Sequence, residues 1–154
     1  MKISDLVRPD AVIPNLRVAT KKQALQELAN KAAPIVGVDA RDIFDTLLER
    51  ERLGTTGVGQ GIAIPHGKLA NIDGLYGVFA RLETPIDFDS IDDQPVDLVF
   101  LLLAPEDAGA DHLKALAKVS RLLRDQTMCE KLRGSDGKDA IYALLTEASA
   151  RDAA

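Results

Sequence analysis

A single cysteine, Cys129, in 154 residues rules out an internal disulfide and fits a reducing, cytoplasmic setting. With two histidines and that one cysteine, a zinc site built from His and Cys alone would lack its fourth ligand. Neither a metal nor a cofactor is expected. No apolar run approaches the ~20 residues of a membrane-spanning helix. The opening residues, MKISD, lack the apolar core of a signal peptide. Membrane insertion and export are therefore not expected. Net charge is −5, so nucleic acid finds no electrostatic attraction overall.

What the chain does have is a globular balance, 46% hydrophobic and 28% charged, which suits one domain with a sizeable core. No repeat, low-complexity tract or linker divides it. Thr20 and Gln23 have capping-box spacing, and Leu25, Leu28 and Ala32 follow at helical intervals until Pro34 and Gly37. Asp39 opens a second helix that carries Ile43, Phe44, Leu47 and Leu48 on one face and stops at Gly54. Residues 75–83 and 96–105 read as strands. The second, VDLVFLLLAP, is an unbroken apolar run and is expected to be central and buried on both faces. Between the two lies an acidic connection. The stretch HLKALAKVSRLLRD, 112–125, is a helix with His112, Leu116, Val119 and Leu123 on one face. Shorter helices follow near 127–133 and 137–148, and residues 151–154 are expected to fray. Helices alternating with strands predict an α/β domain.

Five of the eleven glycines fall between residues 54 and 67, which marks a loop of unusual backbone angles or close approach. The loop fits no nucleotide motif. GVGQG leads into a strand, whereas the dinucleotide fingerprint leads into a helix. GIAIPHGK has five residues between its glycines, and Leu69 stands where a P-loop needs Ser or Thr. The acidic residues Asp87, Asp89, Asp92, Asp93 and Asp97 do not match an EF-hand. They read as a solvated connection, and Cys129 reads as a packed residue.

His66 stands apart. The apolar stretch Ile62-Ala63-Ile64 runs into Pro65, His66 and Gly67. Pro65 fixes its own backbone and biases Ile64 toward extended geometry. Gly67 lets another group approach, and the end of a strand is where ligands of open α/β sheets gather. A neutral imidazole there can accept a phosphoryl group. His112 lies near a helix N-terminus, where an anion is favoured. It serves equally well as a half-covered helix-start residue. Arg50 and Arg52, in LERERLG, either complement the helix dipole or point a guanidinium fork at phosphate oxygens; nothing local chooses between these.

Taken together, RERLGTTGVGQGIAIPHGK, VFARLETPIDFDSIDDQPVDLVFLLLAP and HLKALAKVSRLL resemble the nitrogen-type enzyme IIA of the bacterial phosphotransferase system. That branch is a sibling of the enzyme IIA domains of mannitol and fructose permeases. The resemblance runs from about Ile3 to about Leu145, within a single domain spanning residues 1–154. It implies a mixed sheet of about five strands with helices on both faces. It matches His66 to the phosphorylated histidine, His112 to the second active-site histidine and Arg50 to the supporting arginine; Arg52 does not align. The implied donor is a small histidine-phosphorylated carrier protein, charged from phosphoenolpyruvate through enzyme I. The implied outputs are regulatory contacts, for example with potassium-transport or sensor proteins.

On this reading the loop amides at Gly57 and Gly67, with the hydroxyls of Thr55 and Thr56, are expected to bind the phosphoryl oxygens. The surface around His66 is expected to be neutral and partly apolar, from Ile62, Ile64 and Leu69. No permease domain accompanies the chain, which favours a regulator over sugar transport. The alternatives are a binding module that no longer turns over phosphate, and an enzyme IIA serving a sugar permease. A small-molecule enzyme with His66 as general base would want a paired carboxylate, and none flanks IAIPHGK.

Overall fold

The run VDLVFLLLAP forms a strand at the centre of the molecule, Val96–Pro105, in which every residue from Leu98 to Ala104 is buried. A strand covered on both faces needs helices on both sides, and the chain supplies them. The computed structural model describes residues 1–153, with side chains through residue 147. In chain order the elements are α1 (Ile3–Leu6), β1 (Val7–Leu16), α2 (Lys21–Val36), α3 (Ala40–Arg52), β2 (Gly57–Gly59), β3 (Ile62–Ala63), β4 (His66–Leu69), β5 (Tyr76–Ile86), β6 (Val96–Pro105), α4 (Ala110–Arg124), α5 (Gln126–Arg133) and α6 (Lys138–Ala153).

The sheet has six strands where about five are expected. Its order is β1-β5-β6-β3-β2, with β4 also paired to β6. The additional strand arises because Pro65 divides one apolar segment into two. β3 and β4 both run parallel to β6, from Ile62 opposite Leu98 to Leu69 opposite Pro105. Between them the Leu102 N–H donates to the Pro65 carbonyl at 2.9 Å. Proline lacks a donor but keeps its acceptor, so the ladder passes through it. His66 therefore begins β4; it does not end the preceding strand as expected. β5 pairs antiparallel to β6, and β1 pairs parallel to β5, which makes the sheet mixed.

Sequence reading missed β1, because VRPDAVIPNL contains two prolines and several polar residues. Its position explains them. β1 is an outer strand with one partner, where a missing ladder donor is tolerated.

The helices form two layers. α2 and α3 pack on each other and against β5 and β4, while α4, α5 and α6 associate and meet β6 and β1. Thr20 caps α2 as its spacing predicts, accepting from the Gln23 N–H at 3.1 Å, while the Gln23 side chain accepts from the Ala19 N–H. Gly37, at φ 76°, ends the helix in the left-handed region that glycine enters without penalty. Asp39 sits at the N-cap of α3, but its side chain makes no capping bond. The backbone of α6 stays helical to Ala153, into the stretch expected to fray; Ala154 lies outside the described residues. No helix among the described residues is long and apolar enough to cross a membrane.

Candidate functional site

Three elements bring the site together: α3 carries Arg50, β4 opens with His66, and the first turn of α4 carries His112. They line one open cleft of about 490 Å³ with Asp45, Glu49 and Lys68. Arg50 Nε lies 3.3 Å from His66 Nε2. His66 Nδ1 lies 2.9 Å from the Ile64 carbonyl. A carbonyl only accepts, so Nδ1 carries the proton. Nε2 then holds the lone pair, and the Arg50 N–H donates to it. Arg50 is itself oriented by a second hydrogen bond, from Nη1 to the Gly54 carbonyl at 2.9 Å. Pro65, between Ile64 and His66, fixes its own φ in the link between β3 and β4, across which His66 Nδ1 reaches the Ile64 carbonyl.

The His66 and His112 rings are 5.7 Å apart, centre to centre, and tilted by 52°. His112 is buried, and its Nδ1 has no hydrogen-bond partner among the described residues. Burial lowers the pKa of both imidazoles. For His66 the Arg50 charge lowers it further, against opposing contributions from the Ile64 carbonyl and Glu51. For His112 the nearby His66 and Lys68 add to the effect of burial. Two neutral imidazoles beside the cationic side chains of Arg50 and Lys68 make a site that favours an anion and resists protonation.

These lowered values link stability to pH with a definite sign. As pH falls below the ordinary 6.5, the unfolded chain takes up protons that the folded chain refuses. Stability from these groups is complete above 6.5 and lost as pH falls toward the lowered folded values. The melting temperature of the wild type should therefore drop more steeply between about pH 7 and about pH 5 than that of a His66→Gln, His112→Gln double variant. Parallel melting curves across that range would show that the two rings are not held neutral.

The loop places its remaining candidates differently from one another. The Thr55 hydroxyl donates to the Phe88 carbonyl at 2.8 Å and accepts from the Gly57 N–H at 3.0 Å. The Thr56 hydroxyl donates to Glu51. Both hydroxyls and the Gly57 amide are thus engaged in holding the loop. Gly57 is glycine for space, since a Cβ there would meet Ser90 Oγ at 2.5 Å. Gly67 lines the cleft, and a Cβ on it would meet Thr46 Cγ2 at 2.7 Å, so its bareness lets β4 lie close to α3. Arg52 is exposed on α3 and is not among the cleft residues.

The surface also departs from expectation. Ile62, Ile64 and Leu69 are at most 5% exposed, because in β3, β4 and the link between them they point into the core. The rim of the cleft is formed instead by charged side chains and by Leu53, which is 84% exposed. Sequence reasoning missed Glu51, which is buried although it sits between two arginines, half-buried Arg50 and exposed Arg52, in a segment that reads as a solvated helix end. Among the described residues, no group of three or more His, Cys, Asp or Glu side chains could hold a metal ion.

Comparison with known proteins places this geometry in a family. Residues 5–148 match the family model described as phosphoenolpyruvate-dependent sugar phosphotransferase system, EIIA 2. A nitrogen regulatory protein of Bradyrhizobium diazoefficiens is 63% identical over 145 residues, covering 94% of this chain and 95% of the relative. A nitrogen regulatory protein of Escherichia coli K12 is 40% identical, covering 96% of this chain and 91% of the relative. The crystal structure of the nitrogen regulatory protein IIA-Ntr from Neisseria meningitidis superposes with a TM-score of 0.89 at 33% identity, covering 94% of this chain and 99% of that one. With its fold and nearly its whole length matched in this way, the chain belongs to the EIIA 2 family of the phosphoenolpyruvate-dependent sugar phosphotransferase system.

Proposed function

We propose that the protein is a phosphocarrier and regulator that accepts a phosphoryl group on His66 Nε2 from a histidine-phosphorylated carrier protein. The observation that supports this most directly is the fixed tautomer of His66, with Nδ1 donating to the Ile64 carbonyl and Nε2 facing the Arg50 guanidinium. In the transfer, the Nε2 lone pair attacks phosphorus and forms the new P–N bond. The P–N bond to the donor imidazole breaks in line, and the donor nitrogen leaves with the electron pair. The Nδ1 proton stays in place, and the Ile64 carbonyl stabilises the positive charge that develops on the ring. Arg50 moves its hydrogen bonding from Nε2 to the phosphoryl oxygens. Lys68 adds positive charge beside them, and neutral His112 offers a ring N–H. Thr55, Thr56 and Gly57 keep the loop in shape, and the bare backbone at Gly67 leaves the phosphoryl group room.

Regulation follows from charge. A phosphoryl group adds nearly two negative charges and three strong acceptors. A partner that covers the cleft with apolar surface would have to desolvate that dianion, which is costly. A partner presenting arginines would gain from it. One modification thus releases one class of target and recruits another without refolding. Potassium-transport and sensor proteins are the targets to try first.

The decisive experiment is incubation with enzyme I, the carrier protein and phosphoenolpyruvate, followed by intact-mass measurement. A gain of one phosphoryl group is expected. An unchanged mass, with the carrier phosphorylated in the same tube, would leave a binding module that does not turn over phosphate.

A further inference from the structure

The cleft explains what holds one side of the His66 ring and leaves the other side to the Ile64 carbonyl. That carbonyl has its own support, and it leads back to a residue outside the cleft. The Ile64 N–H donates to the Thr56 carbonyl at 3.0 Å. The Thr56 N–H donates to Glu51 Oε2 at 3.1 Å, and the Thr56 hydroxyl donates to Glu51 Oε1. Lys21 Nζ completes the carboxylate's contacts at 2.9 Å, and the Glu51 side chain is only 4% exposed. Lys21 in turn lies over the Phe88 ring at 4.9 Å.

We propose that Glu51 is a positioning residue for His66, acting through Thr56 and Ile64 to hold the imidazole in its Nδ1–H tautomer with Nε2 presented to the incoming phosphoryl group. The proposal rests on the reading of His66 as the phosphoryl acceptor. The connection is mechanical. At Thr56 and again at Ile64, the N–H belongs to one peptide unit and the C=O to the next, so polarisation does not pass straight along the chain. Each of the two residues is instead held at its donor and offers its acceptor onward.

The geometry closes on itself. Arg50 and Glu51 are neighbours at the end of α3. One reaches His66 Nε2 directly, and the other reaches Nδ1 through two residues of the glycine-rich segment. The two branches have different fates during transfer. Bond formation at Nε2 removes the Arg50 contact from that nitrogen, since its lone pair is now shared with phosphorus. The branch through Glu51 then remains the one that acts on the ring itself, while Arg50 holds the phosphoryl group. A ring held on one side alone needs that side to be anchored, and a buried carboxylate with three partners is such an anchor. Outer contacts of this kind set tautomer and ring direction, and a misplaced reacting group is costly to rate.

The test begins on the unmodified protein, where nitrogen-15 NMR of labelled imidazoles reports the His66 tautomer independently of any phosphoryl transfer. The wild type should show one tautomer, protonated at Nδ1. Glu51→Ala should show a mixture, and its rate of phosphoryl uptake from phosphorylated carrier should fall about tenfold, with circular dichroism unchanged. Glu51→Gln, which keeps an oxygen for the Thr56 N–H, should recover most of the loss in both measurements. Should Glu51→Ala fail to fold, Thr56→Val takes its place, because it removes the hydroxyl contact alone; a partial shift toward the mixed tautomer is then expected. A folded Glu51→Ala protein, or in its place Thr56→Val, that keeps a single Nδ1–H tautomer and wild-type uptake would overturn the proposal. A wild type that takes up no phosphate, while the tautomer still responds to Glu51, would overturn the reading of the acceptor and leave the positioning role standing.

Discussion

His66→Ala protein, mixed with enzyme I, carrier and phosphoenolpyruvate, should take up no phosphate, while wild type becomes fully labelled. The effect is all-or-none because no other group in the cleft combines a free lone pair with access. The His112 ring is almost wholly buried, and the other side chains lining the cleft include no further imidazole. The wild-type label should be a phosphoramidate, lost in acid and kept in base. His112→Ala should remain labelled, more slowly. Labelling of His66→Ala to the wild-type extent would move the acceptor elsewhere and remove the centre of the functional reading.

Arg50→Ala should be the most damaging change among residues that carry no phosphate. Its guanidinium meets His66 Nε2 and is steadied by the Gly54 carbonyl, so it is already aimed where charge develops. Losing one such preorganised donor costs about a hundredfold to a thousandfold in rate. Arg50→Lys should recover little, since an ammonium restores charge but not the planar fork. Single-turnover transfer from phosphorylated carrier, at saturating carrier, would measure this. A wild-type rate in a folded Arg50→Ala protein would assign the arginine to the end of α3 alone.

Much of this was legible in the sequence, for physical reasons that differ from residue to residue. The helix at 112–125 and the strand at 96–105 announce themselves because burial imposes a period, or abolishes one, over many residues. Pro65, His66 and Gly67 stand out as unusual residue types in an apolar run, although the backbone there proves to be strand and Gly67 is bare for packing on α3. The gathering of Arg50, His66 and His112 was legible only through resemblance, since spacing along a chain does not report distance across a sheet. Glu51 was hidden for a related reason. A carboxylate between two arginines reads as solvated until the loop that folds over it is known. β1 was hidden because prolines argue against a strand unless its place in the sheet is known. Ile62, Ile64 and Leu69 were correctly read as apolar, but whether an apolar side chain faces partner or core depends on strand pairing.

The prolines of that first strand have a consequence beyond the fold. β1, with Pro9 and Pro14, bounds the sheet on one side, and on the other the short strands β2 and β4 lie outermost. Neither border offers a long, regular row of free N–H and C=O groups to another polypeptide. Polymerisation by strand addition is disfavoured, so high concentration should leave the chains unjoined along these borders. If phosphorylation gives the protein two charge states as proposed, a partner that tells them apart would do so with side chains, and a docking helix or loop would suit it better than an extended peptide.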